Sequence, residues 1–238
     1  MDNNYIYAIP KFMKSARGLR DYLNDRTLSR FKAVKFTNEV IIYNKNINIL
    51  WGLGKGYSRV GLSSKLARNG VDTIDYFEES VPEDGYPVVI RTILDGNQGK
   101  GIIIAKTEEE FLPYRGSIWS KWIYFDFELG VHVLNGEIRK VFKKICIDEE
   151  REFPIRNFCN NYKFSLRTIN KYPKLQEFVT KLYEVVQFEV CRYDIGWDSL
   201  NKKYICIEAN IAPGLTINFD TLSMYGDYYI NKLGLERR

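Results

Sequence analysis

The sequence predicts an α+β protein that contains two sheets, and three segments carry this prediction. The first is a strand–loop–strand unit over residues 87–105, in which a glycine-rich loop joins two apolar runs. The second is a helix over residues 174–186, where apolar residues recur at helical spacing. The third is a pair of strands, residues 188–195 and 205–210, with a short polar connection between them. Such a connection indicates an antiparallel hairpin.

The amino-terminal residues 1–62 are predicted to form a short, irregular lobe. Strands are expected near Glu39–Tyr43 and Ile47–Trp51, followed by glycines that lack the spacing of a dinucleotide-binding motif. A short helix is expected over Ser63–Gly70, ended by the glycine. A further helix over Phe219–Leu233 is expected to pack on this lobe.

The glycine-rich loop runs from Asp95 to Gly101 and follows a strand that contains Arg91. Its glycines let backbone N–H groups approach an anion closely, and Arg91 and Lys100 add positive charge. A Walker loop is excluded, because the Gly-Lys-Ser/Thr ending is missing and a strand follows. The loop also fits a plain hairpin with Asp95 and Gly96 in the turn, so both interpretations stay open.

A carboxylate and a carboxamide, Glu208 and Asn210, stand two residues apart in the second strand of the carboxy-terminal pair. Residues at this spacing share a face of a strand, so the two side chains offer hard oxygen ligands to a cation such as magnesium. If the hairpin is symmetric about Asn201, Asp194 faces Glu208, and a bound cation or a proton relieves their repulsion. An exposed polar face is the alternative.

Together these motifs resemble the ATP-grasp carboxylate-amine ligases, and among them the RimK-like group, which adds amino acids through peptide-type bonds. The similarity covers residues 63–214 and rests on Val-Val-Ile-Arg before Gly-Asn-Gln-Gly-Lys-Gly, and on the order of Asp194, Glu208, Asn210 and Pro213-Gly214. It implies an ATP-grasp fold, in which two α+β subdomains grip ATP between two antiparallel sheets. Residues 63–238 would form this domain after a short pre-grasp lobe, with a lid over 85–120 and a metal-binding subdomain over 121–238.

The resemblance assigns roles to individual residues. Asp194, Glu208 and Asn210 would bind two Mg²⁺ ions, with Mn²⁺ as an alternative. The catalytic residues would be Arg91, Lys144 and Arg156, the last as a donor to the oxyanion of a tetrahedral intermediate. The phosphates of ATP would be held by the cation of the strand, the glycine-rich loop, a lysine and an asparagine. The hinge would hold adenine, and a glutamate would accept the ribose hydroxyls. In chain order these residues are Arg91, Gly96, Asn97, Gln98, Gly99, Lys100, Gly101, Lys121, Trp122, Ile123, Glu128, Lys144 and Asn157.

The chain departs from the family at three places. Arg91 stands where a lysine is usual, and its planar fork grips phosphate with a different geometry. Gly130 stands where related sequences carry an arginine, so that a cation from Lys143 or Lys144 is expected to replace it. The hinge lacks the glutamate that the family often has.

The implied reaction is the ATP-dependent joining of a carboxylate to an amine through an acyl phosphate. The partners would be ATP and small carboxylate and amine substrates, such as an amino acid, a peptide or a modified macromolecule. Two alternatives stay open: an ATP-grasp protein that binds nucleotide without ligase activity, and a basic nucleic-acid-associated module. A net charge of +5 in 238 residues is compatible with anionic ligands but does not by itself indicate a nucleic-acid partner.

The remaining composition favours a cytoplasmic protein, or one of the host cytoplasm if the chain is viral. No run of apolar residues resembles a membrane span or a signal peptide, so no membrane partner is expected. The four cysteines lack a metal-binding spacing and are predicted to be reduced thiols in the core. The single histidine, His132, precedes an Asn135-Gly136 turn in a strand and is predicted to be packed rather than catalytic.

Overall fold

The computed structural model describes residues 4–8, 10, 13–35, 48–51, 57–78, 82, 85–93, 99–148, 152–214 and 219–238. These residues form three sheets and five α-helices, which confirms the α+β class. The chain divides into two compact units. One comprises Met1–Gly56, Val190–Arg192 and Asn210–Arg238, and the other comprises Tyr57–Glu189 and Tyr193–Ala209. The predicted division at residue 62 stays a prediction.

The first unit contains a three-stranded parallel sheet, so the prediction of an irregular lobe is wrong. Strand β1 (Asn4–Ala8) lies between β2 (Phe31–Lys35) and β3 (Asn48–Trp51), and helix α1 (Met13–Arg26) connects β1 to β2. The expected strand at Ile47–Trp51 is confirmed as β3. The strand expected at Glu39–Tyr43 and the glycine cluster after β3 lie outside the described residues.

Helix α5 (Phe219–Lys232) packs against α1, which confirms the predicted helix and its place on the amino-terminal lobe. The contact is close at Gly226, where a Cβ atom would lie 2.2 Å from the ring of Tyr22. A glycine inside a helix weakens it, but here it allows the two helices to approach. Gly226 therefore serves the packing of α5 on α1, although glycine is unfavourable inside a helix.

The second unit begins with α2 (Arg59–Arg68), which starts earlier than the predicted helix and ends before Gly70. Ser58 caps it by accepting a hydrogen bond from the Gly61 N–H at 3.1 Å. The segment 71–78 then runs along two strand edges. Thr73 bridges to Cys206, and Phe77 bridges to Trp119. This segment thus fixes α2 beside the carboxy-terminal strands.

A small antiparallel sheet has β4 (Val88–Arg91) at its centre, flanked by β5 (Ile102–Ala105) and β6 (Ile118–Lys121). This confirms the predicted order of strand, glycine-rich loop and strand. A short helix, α3 (Glu108–Phe111), follows β5, and its Phe111 joins Val88, Ile90, Ala105 and Trp119 in the core. Residues 94–98 of the loop, including the expected Asp95-Gly96 turn, lie outside the described residues.

The large sheet has the strand order β11-β10-β7-β8-β9. Strands β7 (Phe127–Leu134) and β8 (Glu137–Cys146) form a hairpin whose turn residues Asn135 and Gly136 have φ angles of 49° and 81°. Such positive φ angles are typical of a two-residue hairpin turn. Strand β9 (Tyr162–Arg167) pairs with β8 at the sheet edge.

The predicted carboxy-terminal hairpin is confirmed as β10 (Val190–Asp198) and β11 (Lys203–Asn210). Among the apolar residues of β11, Ile205 is buried, whereas Ile207 and Ala209 are half-buried. Helix α4 (Leu175–Val186) confirms the helix predicted over residues 174–186 and contacts β8.

The histidine and two of the cysteines behave as expected, whereas Cys146 is half-buried and Cys159 is exposed, so the prediction of core thiols is wrong for these two. All four thiols are free, and Cys191 and Cys206 are buried. His132 is buried, with its ring edge-on to Phe142 at a centroid distance of 5.4 Å. Among the described residues, no helix is long and apolar enough to cross a membrane.

Candidate active site

A buried lysine links two strands of the large sheet. The pairing of Leu129 with Lys143 places Glu128 opposite Lys144. The Lys144 ammonium donates to Glu128 Oε2 at 2.9 Å and to Asp194 Oδ2 at 3.0 Å, and all three side chains are buried. Burial alone lowers the pKa of Lys144, but the charges of Asp194 and Glu128 raise it well above its ordinary value. Lys144 is therefore a permanent cation here.

Arg156 extends this network. Its Nη1 lies 3.4 Å from Glu128 Oε1, and the side chain is buried. Two cations and two carboxylates thus balance one another in a region from which water is largely excluded. Each Glu128 oxygen has one of these cations as a partner, and a carboxylate oxygen can accept a second hydrogen bond, so the predicted ribose contact of Glu128 stays a prediction.

The two lysines that could replace the missing family arginine lie in different surroundings. Lys144 belongs to the buried network, whereas the Lys143 ammonium lies 5.2 Å from the centre of the Phe127 ring. Neighbouring residues of a strand point to opposite faces. Lys144 is therefore the residue of this pair that reaches Asp194.

The second predicted metal ligand, Glu208, is held by a residue that the sequence reasoning missed. Arg59, the first residue of α2, lies 2.8 Å from Glu208 through its Nη1. Burial raises the pKa of the Cys206 thiol, and the charges of Asp194 and Glu208 raise it further. Both carboxylates therefore lie near Cys206, which shares a strand face with Glu208. Asn210, the last residue of β11, follows on that face by the same alternation.

Arg91 and Tyr76 complete the surroundings of Arg59. The Arg91 guanidinium lies 5.8 Å from the centre of the Tyr76 ring. Burial and the positive charge of Arg59 lower the pKa of Arg91, although the groups around it oppose this in part. The Nε atoms of Arg59 and Arg91 and the Tyr76 hydroxyl are buried and have no hydrogen-bond partner with good geometry among the described residues. This region therefore contains two guanidinium groups, and the Tyr76 hydroxyl lies close enough to influence the pKa of each.

The carboxyl end of the glycine-rich loop meets Asn157. A Cβ atom on Gly99, whose φ is +80°, would lie 2.5 Å from Asn157 Nδ2. Asn157 caps the following 3-10 turn by accepting from the Asn160 N–H at 3.1 Å, while its Nδ2 is buried without a partner among the described residues. Gly99 and Asn157 are therefore brought together, as the predicted phosphate contacts require. Lys100 is exposed, and Gly101 is half-buried.

Three predicted loop residues, Gly96, Asn97 and Gln98, lie outside the described residues.

The predicted adenine hinge connects the small sheet to the large one. Trp119 is buried and stacked on Phe77 at a centroid distance of 4.4 Å, so its side chain belongs to the core. The Trp122 N–H donates to Pro87 O at 3.1 Å and is not available to a base. Ile123 packs on the apolar cluster of Ile205, and Lys121 is exposed.

The donors that the sequence assigned to a metal are two carboxylates and a carboxamide. Carboxylate and amide oxygens are the ligands that Mg²⁺ takes in proteins, so the chemistry of this set fits the ion. Each carboxylate contacts a cation of the chain, Lys144 at Asp194 and Arg59 at Glu208. Within the described ranges there is no cluster of three or more His, Cys, Asp or Glu side chains that could hold a metal.

Comparison with known proteins identifies the fold. No protein-family model matches the chain, and no curated protein matches it in sequence. Among solved structures, the ATP-grasp ligase PsnB in complex with a minimal precursor matches 98% of this chain and 100% of its own, with a TM-score of 0.71 and 8% identity. D-alanine–D-alanine ligase from Bacillus anthracis in complex with ATP matches 98% of this chain and 99% of its own, with a TM-score of 0.64 and 10% identity.

A third match is D-cycloserine synthetase DcsG, over 98% of this chain and 100% of its own, with a TM-score of 0.65 and 9% identity. PsnB has also been solved with its minimal precursor, Mg and ADP, and this form matches with a TM-score of 0.69. At such low identity these likenesses concern the fold alone. The chain has the ATP-grasp fold, as the two motif segments predicted.

Proposed function

We propose that the chain is an ATP-dependent ligase that joins a carboxylate to an amine and releases ADP and phosphate. One observation carries the proposal. In an ATP-grasp fold, Asp194 contacts the buried Lys144 and Glu208 contacts the half-buried Arg59, and both carboxylates act on the same buried thiol, Cys206. Negative and positive groups at close range are what phosphoryl transfer requires, because the reaction is accelerated by positioning and charge neutralisation.

The proposed reaction has two steps. A substrate carboxylate oxygen attacks the γ-phosphorus of ATP, the bond from that phosphorus to the β–γ bridging oxygen breaks, and ADP leaves with its electron pair. The substrate amine then attacks the acyl carbon, the bond from that carbon to the phosphate oxygen breaks, and the amine loses a proton. The products are an amide, ADP and phosphate.

The residues of this chain supply the cations for the first step. Lys144 is charged and buried, and Arg91 has a donor without a partner among the described residues, so both are suited to phosphate oxygens. Asp194, Glu208 and Asn210 would hold Mg²⁺, as two ions or with Mn²⁺ in its place. When bound, the ion supplies charge neutralisation on the phosphate oxygens. In the second step Arg156 would donate to the oxyanion.

The nucleotide would lie between the small and the large sheet of the second unit. We assign the loop Gly96–Gly101 and Asn157 to the phosphates, residues 121–123 to adenine, and Glu128 to the ribose. The Asn157 amide supports this assignment, since its buried Nδ2 has no acceptor among the described residues. An incoming phosphate oxygen would satisfy it.

The finer parts of the proposal are the RimK-like group, an amino acid or peptide-like group as the unit transferred, and the cytoplasm as the place of reaction. Matches to PsnB with a precursor peptide and to D-alanine–D-alanine ligase support a substrate of this class. The division into a pre-grasp lobe, a lid over residues 85–120 and a metal-binding subdomain over 121–238 belongs to the same proposal.

Release of ADP tests the proposal. The protein would be incubated with ATP, Mg²⁺ and mixtures of amino acids, peptides, transfer RNA or modified DNA, and ADP would be measured with and without each mixture. We expect ADP release that requires one carboxylate and one amine and is nearly abolished in Glu208→Gln with an unchanged circular dichroism spectrum. Binding of ATP without ADP release in any mixture would favour a nucleotide-binding protein without ligase activity.

A further inference from the structure

Arg59 forms an ion pair with Glu208, the carboxylate that the proposed function assigns to a metal. Its guanidinium lies 2.8 Å from Glu208, and the two side chains are 18% and 34% exposed. Burial lowers the pKa of Arg59, but the nearby charge of Glu208 raises it overall. A permanent cation therefore stands where a divalent ion would approach Glu208.

The alternatives open to Arg59 are few. Among the described residues it contacts no second carboxylate, and its Nε is buried without a hydrogen-bond partner. The neighbouring Arg91 adds a second cation, and the Tyr76 hydroxyl can accept a hydrogen bond from Arg59 but carries no charge to balance it. If Arg59 gives up Glu208, it becomes a half-buried charge without a counter-ion, which is costly.

Lys144 shows the contrasting case. It contacts both Asp194 and Glu128, so it keeps one carboxylate if a divalent ion takes Asp194. Arg59 has no second carboxylate partner in the part of the chain that the structure describes. Within the described ranges no other carboxylate replaces Glu208 beside Arg59, whereas an anion from outside the protein would.

We propose that Arg59 couples anion binding to divalent-cation binding: an anion that takes up the Arg59 guanidinium releases Glu208 for the cation. This inference deepens the proposed function and rests on it, because it assumes that Glu208 is a metal ligand. Arg59 is a positioning residue, since it acts on the cation through Glu208. Without an anion, Glu208 stays paired with Arg59 and binds a cation weakly.

The two bound species therefore assist each other. By linkage, whatever the anion adds to cation affinity the cation adds to anion affinity. This coupling makes the Glu208 carboxylate available to the cation mainly when a phosphate-bearing substrate is present. If the Arg59 charge is removed, anion binding should no longer change the affinity for the divalent cation.

The test measures Mn²⁺ binding to the nucleotide-free protein by electron paramagnetic resonance of the unbound ion. Titrations in chloride are compared with titrations in sulfate at the same ionic strength, because sulfate supplies an oxyanion that holds Mn²⁺ weakly. In wild-type protein we expect sulfate to raise Mn²⁺ affinity by about fivefold or more, the lower end of typical coupling between sites. An equal affinity in chloride and sulfate overturns the proposal without any variant.

Arg59→Gln separates the exchange from general electrostatics. We expect this variant to bind Mn²⁺ about fivefold or more tightly than wild type in chloride, with no further gain in sulfate, because the competing cation is gone. Equal or weaker binding in chloride would overturn the proposal. Arg68→Gln is the matched control, since Arg68 lies in the same helix and is exposed. It should behave like wild type.

A double variant locates the effect at Glu208. In the Glu208→Gln background, Arg59→Gln should leave Mn²⁺ affinity unchanged, and a gain there would place the effect elsewhere and overturn the proposal. The result also separates this inference from the ligase. If ADP release is normal but Arg59→Gln does not bind Mn²⁺ more tightly, the coupling is rejected and the ligase is not. If Mn²⁺ binding follows the expected pattern but no mixture gives ADP release, the ligase is rejected and the coupling is not.

Discussion

Lys144 is the residue whose surroundings depend most on charge balance. Its ammonium contacts Asp194 and Glu128 at 3.0 and 2.9 Å, and Arg156 contacts Glu128 from the other side. Buried ions of this kind are stable only as a set, because each has lost its hydration. Removing one member leaves the others with an uncompensated charge.

Replacing Lys144 by methionine should therefore destabilise the protein by about 3–5 kcal/mol, the usual cost of breaking a buried pair from one side. Urea unfolding followed by tryptophan fluorescence measures this. Lys143→Met is the matched control, and it should cost about 1 kcal/mol or less, because its ammonium contacts the Phe127 ring and forms no ion pair with any residue that the structure describes. Adding Asp194→Asn to Lys144→Met should recover part of the loss. No recovery would contradict the charge-balance account.

At the same scale, sequence reasoning found the acidic residues and Lys144 but not Arg59, the partner of Glu208. Asp194 and Glu208 stand in apolar strands with local alternation, which made them visible. Arg59 opens a helix and meets Glu208 only after the chain has folded, so nothing near it in the sequence marks it as part of a site. The choice between Lys143 and Lys144 likewise needed the pairing of β7 with β8.

The glycine-rich loop is described at its carboxyl end, where Gly99 lies against Asn157. At Gly99 the backbone has a positive φ and approaches Asn157 so closely that a side chain would not fit. The phosphate contacts that we propose for the loop would depend on this approach, because backbone N–H groups reach an anion only at short range.

Gly99→Ala should weaken ATP binding about tenfold or more, since both the clash and the left-handed backbone oppose the closed loop, and the backbone part alone is worth about 1–2 kcal/mol. Gly116→Ala is a close control, because Gly116 has a φ of +83° but no atom within 4 Å of its Cβ position. Calorimetric titration with ATP and Mg²⁺ measures the affinities. Equal losses in the two variants would show that backbone strain, rather than the contact with Asn157, governs the loop.

Elements with local signals were predictable and the others were not. The hairpin at Asn135-Gly136, the helix α4 and the carboxy-terminal hairpin follow from turn residues and periodicity. Strand β1 has only five residues, and its buried Ile6, Tyr7 and Ala8 are consecutive, without the alternation that marks a half-exposed strand. The parallel sheet of the first unit was missed for this reason.

At the scale of the whole molecule, buried tyrosines tie stability to alkaline pH. Burial, and to a lesser degree the charge of Tyr172, raises the pKa of Tyr204 to about 12. Its hydroxyl donates to Pro173 O at 3.2 Å. Burial also raises the pKa of Tyr225 well above its ordinary value. The folded chain therefore holds these protons more tightly than the unfolded chain does.

Because the folded pKa of Tyr204 exceeds the unfolded value of about 10, its contribution to stability is complete below pH 10 and is lost as pH rises toward 12. The free energy of unfolding, measured by urea titration between pH 9 and pH 11.5, should fall over this range. Tyr204→Phe should show a smaller fall, since it has no proton to lose. An identical pH dependence in the two proteins would contradict this account.

The fold of the whole chain was predictable from two motif segments, whereas its strand order was not. The resemblance needed only the glycine-rich loop and the Asp194, Glu208 and Asn210 pattern, and the structural matches bear out the ATP-grasp fold. Contacts such as the bridge from Thr73 to Cys206 join segments far apart in the chain. Local pattern carries no information about them.

Magnesium-dependent ATP binding tests the central claim most directly. Wild-type protein and Glu208→Gln would be titrated calorimetrically with ATP, with and without Mg²⁺. The site described here predicts that Mg²⁺ strengthens ATP binding to the wild type and that Glu208→Gln loses most of this gain while keeping its fold. No ATP binding by the wild type, or an undiminished magnesium effect in Glu208→Gln, would contradict the claim.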